Sequence, residues 1–278
     1  MSGRLFVVAT PIGNLADITL RAIRVLSDVD VIAAEDTRTT KKLLAQHAIS
    51  TPLVSYHEHN ETVRTPELLQ RLEAGESVAV VSEAGTPSIS DPGYKLVDAA
   101  IAAGIAVEPV PGPSAVLAAL VVSGLPSDAF AFDGFLPRRA GERRRRLEEL
   151  RSERRTLIVF EAPHRVDSCL VDMLDVLGDR RAALCRELTK LHEEVRRGTL
   201  SELVTSLQRT PARGEIVIVV EGAKDEPGDI DAAVAEVLEI VGGGGSVREA
   251  TRTVAEQRGV PRRALYDRVL EERREQRE

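Results

Sequence analysis

Short apolar runs alternate with amphipathic segments in the first part of the chain. The runs predict β-strands at residues 5–9, 31–34, 53–55, 78–81 and 106–110. The segments between them, such as 37–47 and 93–103, repeat apolar residues at helical spacing. Alternation of strands and helices is typical of a mostly parallel sheet that carries helices on its faces. The pattern therefore predicts an α/β fold for this region.

A second α/β series follows the sequence Pro111-Gly112-Pro113. Ser114 is a good N-cap for a helix over 114–123. Further strands are predicted near residue 131 and at 156–160, 182–186, 195–198 and 216–220. We therefore expect two α/β domains, residues 1–112 and 113–222, with a ligand cleft between them.

The last part of the chain, residues 223–278, has a different pattern. A polar stretch at 221–229 predicts a linker, and Gly242 to Gly245 form a flexible run. Ser246 and Glu249 have the spacing of a capping box. Two amphipathic helices are broken at Gly259, which fits either a helix-turn-helix or a plain helical hairpin. We expect a small helical region here, and it is a candidate for RNA binding.

Composition narrows the class of protein. Hydrophobic residues make up 43% and charged residues 29%, as in soluble globular proteins. The two cysteines, Cys169 and Cys185, are too few for a disulfide framework and indicate a reducing compartment. The first residues lack the pattern of a signal peptide, and no apolar run is long enough to span a membrane. A cytoplasmic protein without membrane contact is expected.

The charge is unevenly distributed. A net charge of −7 argues against nucleic-acid binding by the chain as a whole. However, residues 137–155 hold nine arginines against four glutamates, and residues 241–278 hold nine arginines against seven acidic residues. The run from Arg143 to Arg146 has two interpretations: a surface that contacts phosphates, or a solvated helix face.

Three loops follow predicted strands, at residues 10–14, 82–93 and 110–115. The first of these loops lacks the glycine spacing of a dinucleotide or P-loop site. Their small residues and prolines give a rigid backbone that suits an adenosine-like ligand. The loops also have a structural interpretation. In the second loop, Asp91 and Pro92 form the N-cap and the first position of a helix.

These loops contain motifs that closely resemble one family. Residues 4–222 match in register the family of ribosomal RNA small subunit methyltransferase I, which is similar to the tetrapyrrole methylases and belongs to the class III methyltransferases. The matching motifs are ATPIGNLADIT at 9–19, AEDTR at 34–38, YHEHN at 56–60, AGTP at 84–87, DPGY at 91–94, PGP at 111–113, GFLP at 134–137 and RELTK at 186–190. Glu83 is a departure, because aspartate is expected there.

The resemblance implies two α/β domains with S-adenosylmethionine in the cleft, usually in a homodimer. It implies 2′-O-methylation of a cytidine in the decoding region of small-subunit (16S) rRNA. The implied partner is this rRNA or the assembled small subunit. The implied cofactor contacts are Pro11, Ser82, Glu83, Ala84, Gly85, Ser114, Ala115, Phe160, Glu161 and Leu188.

Methyl transfer to a ribose hydroxyl requires a group that removes the hydroxyl proton. Glu35, Asp36, Glu187 and Lys190 are the candidates, and Arg38 and Lys190 are also candidate contacts to phosphate or sugar. Asp36 has a structural alternative as a helix cap that is paired with Arg38. The pair His57 and His59 lacks a third ligand at metal-binding spacing, so no metal is expected.

Two other functions use the same residues. The chain could be a C-methyltransferase of a tetrapyrrole precursor, or a non-catalytic RNA-binding assembly factor that keeps the fold. The basic segments favour RNA over a tetrapyrrole, and the three ligand-type loops favour an enzyme.

Overall fold

The computed structural model describes residues 3–224 and 230–275. The chain forms two compact units, Met1–Gly222 and Ala223–Glu278. The first unit contains two five-stranded sheets. The division of this unit into domains at residue 112 remains a proposal.

The first sheet is entirely parallel, with strand order β3-β2-β4-β1-β5. Its central strands β2 and β4 are apolar throughout and fully buried, as expected for a sheet that is covered on both faces. The strands are β1 (Arg4–Val8), β2 (Val31–Ala34), β3 (Leu53–Ser55), β4 (Val78–Val81) and β5 (Ala106–Val110). The helices are α1 (Leu20–Asp28), α2 (Thr37–Gln46), α3 (Glu61–Glu73) and α4 (Tyr94–Ala102), with a 3-10 turn at Leu15–Asp17. The predicted α/β alternation is confirmed.

The second sheet is mixed, with strand order β6-β7-β10-β8-β9, and only β6 and β7 are parallel. Its strands are β6 (Phe130–Phe135), β7 (Thr156–Glu161), β8 (Arg181–Arg186), β9 (Glu194–Thr199) and β10 (Ile216–Val220). Its helices are α5 (Ala115–Ser123), α6 (Ala140–Glu149), α7 (Val166–Leu177) and α8 (Leu200–Arg209).

Side chains alternate between the two faces of β10. Ile216 and Ile218 join the core beneath α6, α7 and α8. Val217 and Val219 join a separate core beneath α5. Strand β10 therefore lies between two apolar cores, one on each face of the second sheet.

Two helix-start predictions have opposite outcomes. Ser114 caps α5, because its hydroxyl accepts a bond from the Leu117 amide at 3.5 Å. The predicted capping by Asp91 and Pro92 is wrong, since α4 begins at Tyr94 after Gly93. Asp91 is therefore available for another role.

The described residues of the second unit form three helices, α9 (Ile230–Gly242), α10 (Val247–Arg258) and α11 (Arg262–Glu275). They share an apolar core that includes Val237, Val254 and Leu265. Gly259 ends α10 in the left-handed conformation. The capping box at Ser246 is wrong, because the Ser246 side chain makes no capping bond. Residues 225–229 of the predicted linker lie outside the described residues. Among the described residues, no helix combines the length and the apolar composition of a membrane span.

The arginine run lies on α6, and most of it is engaged within its own unit. Arg143 is buried and pairs with the buried Asp172 at 2.5 Å. Arg144 pairs with Asp172 at 2.7 Å, and the Nε of Arg146 donates to Asp133 at 2.9 Å. These bonds attach α6 to α7 and β6, so the buried Arg143 fits neither interpretation, whereas the Arg144 side chain remains 51% exposed.

Candidate functional site

A cavity of about 380 Å³ opens within the first unit, where loops of the first sheet meet the second sheet. The loops after β1 and β4 contribute Ile12 and residues 83–91, and the start of α5 contributes residues 114–116. Residues 160–163 and 214–217 of the second sheet form the opposite side. The three loops selected from the sequence therefore converge on one cavity, which has the usual size of a small-molecule site.

Backbone pairing fixes the loops of the first sheet. The Thr10 amide donates to the Gly85 carbonyl at 2.8 Å, and the Gly85 amide donates back to Thr10 at 3.0 Å. Gly85 has a φ of 81°, which a side chain would strain. An added Cβ there would also meet the Ile12 side chain at 3.4 Å. Glycine therefore lets these two loops approach each other at the cavity.

The cavity walls are largely apolar. Ile12, Ala115 and Val116 face it from the first loop and α5. Phe160 lies on the other side, and its ring is held edge-on against Phe132 at 4.8 Å between ring centroids. This arrangement suits a flat heterocycle such as adenine.

Most of the residues expected to contact the cofactor lie at the cavity. Glu83, Ala84, Gly85, Ser114, Ala115, Phe160 and Glu161 line it. Pro11, Ser82 and Leu188 are instead buried and are not among its lining residues. The Ser82 hydroxyl donates to the Ala84 carbonyl at 3.3 Å, so Ser82 stabilises the loop without lining the cavity.

Glu161 builds the wall of the cavity. Its side chain is fully buried, accepts a bond from the Ala162 amide at 2.8 Å and pairs with Arg165 at 3.1 Å. Arg165 also donates to the Leu136 carbonyl at 2.7 Å. The carboxylate is thereby bonded to protein groups at the turn after β7.

The expected catalytic residues at the end of β2 lie outside the cavity lining. Asp36 caps α2, accepting from the Arg38 amide at 2.7 Å, and this bond holds the Asp36 pKa below its usual value. The Arg38 side chain is 89% exposed. Glu35 accepts a bond from the Glu83 amide at 3.0 Å, and burial raises the pKa of Glu35. Glu35 therefore positions the loop after β4.

Glu187 and Lys190 form an ion-pair network at the cavity rim. The Lys190 ammonium bonds to Glu187 at 2.9 Å and to Glu215 at 3.1 Å. Burial lowers the Lys190 pKa, but the bonds to these two carboxylates outweigh burial and raise it overall. Lys190 is therefore a cation at neutral pH rather than a base. An added Cβ on Gly13 would lie 2.5 Å from the Lys190 side chain, so the loop after β1 lies directly against this network.

The histidine pair belongs to a local polar loop. A ring nitrogen of His57 lies 3.2 Å from the Asn60 amide nitrogen. Within residues 3–224 and 230–275, no group of three or more His, Cys, Asp or Glu side chains is arranged to hold a metal.

One cavity residue was missed as a functional candidate. Asp91 lines the cavity, and burial together with the charges of Glu35 and Glu83 raises its pKa to about 7. The Asp-Pro pair favours a helix start in the sequence, which hides a functional role. The sequence signals for such a role are its place in a loop that follows a strand and its DPGY motif.

The chain matches two family models. Residues 4–204 match the Tetrapyrrole (Corrin/Porphyrin) Methylases, and residues 228–273 match the RsmI C-terminal HTH domain. A uroporphyrin-III C-methyl transferase from Thermus thermophilus, solved in complex with S-adenyl homocysteine, superimposes with a TM-score of 0.56. It is 22% identical and covers 79% of this chain and 97% of its own, so it shows the fold.

Two curated relatives are much closer in sequence. Ribosomal RNA small subunit methyltransferase I of Halalkalibacterium halodurans is 49% identical, over 95% of this chain and 94% of its own length. The protein of the same name from Synechocystis is 46% identical, over 97% and 98%. With its tetrapyrrole methylase fold and its C-terminal helical unit, the chain belongs to the family of ribosomal RNA small subunit methyltransferase I.

Proposed function

We propose that this protein transfers a methyl group from S-adenosylmethionine to the 2′-oxygen of a cytidine in the decoding region of small-subunit rRNA. The observation that carries the proposal is the cavity at the three loops, in a chain that is 49% identical to a relative named for rRNA methylation. The expected place of action is the cytoplasm, where ribosomal subunits assemble.

The residues at the cavity fit S-adenosylmethionine. Phe160 and Ala115 provide apolar walls for the adenine, and Glu83 and Ser90 place polar side chains at the same cavity for the polar parts. When bound, the cofactor supplies a methyl group on a positively charged sulfur, which is ready for displacement. The protein must hold the ribose hydroxyl in line with that methyl group.

RNA is favoured over a tetrapyrrole because of the second unit. Residues 228–273 match a helix-turn-helix model, and Arg248, Arg252, Arg262 and Arg263 are exposed on α10 and α11. Such cations supply phosphate contacts, which position a protein on a nucleic acid. An open cavity also argues against a purely structural assembly factor.

Mapping of ribose methyl groups tests the proposed function. Small-subunit rRNA from cells with and without this protein is digested and compared by mass spectrometry. We expect one cytidine in the decoding region to lose its 2′-O-methyl group without the protein. An unchanged methylation map would contradict the proposal, whereas loss of a methyl group from a base would correct the position of transfer.

The arginines of the second unit fall into two groups. Arg258 pairs with Glu236, and Arg268 pairs with Asp231 at 3.2 Å, so both contribute to the structure of the unit. Arg262 and Arg263 are exposed and have no ion pair among the described residues, so we expect them to contact phosphates. Replacing both with alanine is expected to reduce the slope of log affinity against log salt by about 2.

The salt experiment uses binding of small-subunit rRNA across a series of potassium chloride concentrations. The double variant Arg24→Ala/Arg209→Ala is the matched control, because it removes the same charge from exposed positions of the first unit. The proposed surface is wrong if both double variants change the salt slope equally, or if neither changes it.

The expected homodimer is supported by α5. This helix consists only of Ala, Val, Leu and Ser, and Val121 is 72% exposed on its outer face. A helix that is apolar all round is normally buried on every side. Val121→Glu is therefore expected to convert a dimer to a monomer in sedimentation velocity, whereas Leu20→Glu on α1 leaves the mass unchanged. A monomeric wild-type protein would refute the dimer.

A further inference from the structure

We propose that Asp91 is the general base that accepts the proton of the ribose 2′-hydroxyl. This assignment rests on the proposed function, ribose methylation, and identifies the residue that performs its proton transfer. It concerns a residue that lies in the cavity itself, unlike the carboxylates at the ends of β2 and β8.

Comparison of the carboxylates that line the cavity supports this choice. Glu161 is bonded to the Ala162 amide and to Arg165, and Glu215 is bonded to Lys190 at 3.1 Å. A carboxylate paired with a cation is a weak base, because the charge stabilises its ionised form. Glu83 and Asp91 remain, and they have no ion pair within the described part of the chain. Glu83 is exposed, whereas Asp91 is half-buried.

The loop around Asp91 has a strained backbone. Ser88 and Ser90 adopt left-handed conformations with φ of 71° and 62°, which non-glycine residues rarely do. The backbone at Gly93 passes so close that an added Cβ would lie 2.7 Å from the Ser88 hydroxyl. Strained backbone of this kind is maintained where the surrounding structure fixes it, and it is concentrated at functional sites.

The groups that face Asp91 raise its pKa into the range that suits proton transfer near neutral pH. Burial is the largest influence and raises the pKa of Asp91, and the negative charges of Glu35 and Glu83 raise it further. Ser82 acts in the opposite direction and lowers the pKa of Asp91. His57 lies near Glu35 and lowers the pKa of that residue. The result, a pKa of about 7, is the value at which a carboxylate is an effective base at the pH of the cell.

The proton transfer is balanced in atoms and charge. The 2′-hydroxyl proton moves to a carboxylate oxygen of Asp91, and the oxygen lone pair forms the new bond to the methyl carbon. The bond between that carbon and sulfur breaks, and its electron pair remains on sulfur, which becomes neutral. Asp91 then releases its proton to solvent. The ionised form of Asp91 is required, so the rate is expected to rise with pH through about 7.

Two variants test the assignment in single-turnover methylation of small-subunit rRNA over pH 5.5–9. Asp91→Asn is expected to slow transfer by about 100-fold or more and to remove the pH-dependent step. Glu83→Gln is the matched change from carboxylate to amide in the same cavity. It is expected to keep the step and shift its midpoint to lower pH, because one of the charges that raise the Asp91 pKa is lost.

A second measurement does not depend on turnover. Carbon NMR titration of aspartate carboxyl groups in the protein alone is expected to show one group that titrates near pH 7, absent in Asp91→Asn and shifted down in Glu83→Gln. Calorimetry checks that Asp91→Asn still binds the cofactor.

The outcomes separate the two proposals. A wild-type protein that does not methylate ribose refutes the proposed function. A wild-type protein that methylates ribose, together with an Asp91→Asn variant of equal rate and unchanged pH profile, refutes the assignment of Asp91. So does a titration in which Asp91 ionises in the usual range of aspartate.

Discussion

Asp172→Leu is expected to destabilise the first unit by about 3–5 kcal/mol, because it leaves a buried guanidinium without its counterion. Arg143 is only 5% exposed in its side chain, and Asp172 only 6%. Asp172 also accepts from the Arg144 Nε at 2.7 Å, so one carboxylate serves two arginines. Its loss therefore affects the attachment of α6 to α7.

Denaturant unfolding, followed by circular dichroism, measures this effect. The double variant Arg143→Met/Asp172→Leu is expected to recover most of the lost free energy of unfolding, since no buried charge remains. Asp175→Asn is the control, because Asp175 is half exposed and, among the residues that the structure describes, pairs with Arg144 alone, at 3.1 Å. That change is expected to cost less than about 1 kcal/mol. If the single and double Asp172 variants are equally unstable, the buried charge is not the cause.

Ala115→Phe is expected to weaken cofactor binding by about 100-fold, because the new ring occupies part of a cavity of drug-like size. Ala115 is the first residue of α5 and lines the cavity opposite Phe160. The helix itself tolerates the change, since its capping bond comes from the Ser114 side chain.

Isothermal titration with S-adenosylmethionine measures the affinity. Ala102→Phe on α4 is the matched control, because Ala102 is exposed and is not among the residues that line the cavity. The control is expected to bind like the wild type. Unchanged affinity in Ala115→Phe would show that the cofactor lies elsewhere, and unfolding curves would show whether the variant is folded.

Much of the fold was predictable from the sequence, because its signals are local. Each apolar run of the first half became a strand within a residue of its predicted limits, and Ser114 caps α5 as expected. The order of the strands within each sheet was not predictable. The mixed directions in the second sheet depend on β10 lying between β7 and β8, a contact between distant segments.

The site was predictable as a set of loops but less so as a set of side chains. Seven of the ten expected cofactor contacts line the cavity, because loop positions follow from strand ends. The orientation of a side chain depends on its partners, which spacing does not reveal. Asp36 is bonded to backbone amides at the start of its helix. Glu187 is paired with Lys190, and Arg143 is paired with Asp172. Asp91 is the converse case, a residue with an ordinary structural explanation that the fold leaves facing the cavity.

The central place of β10 limits when the active centre can form during synthesis. Residues 216–220 pair with both β7 and β8, and Ile216 and Val217 also line the cavity. Until these residues leave the ribosome, two strands of the sheet present unpaired edges, which are prone to aggregation. A nascent chain that stalls before residue 216 should therefore bind no cofactor and should be a preferred client of chaperones.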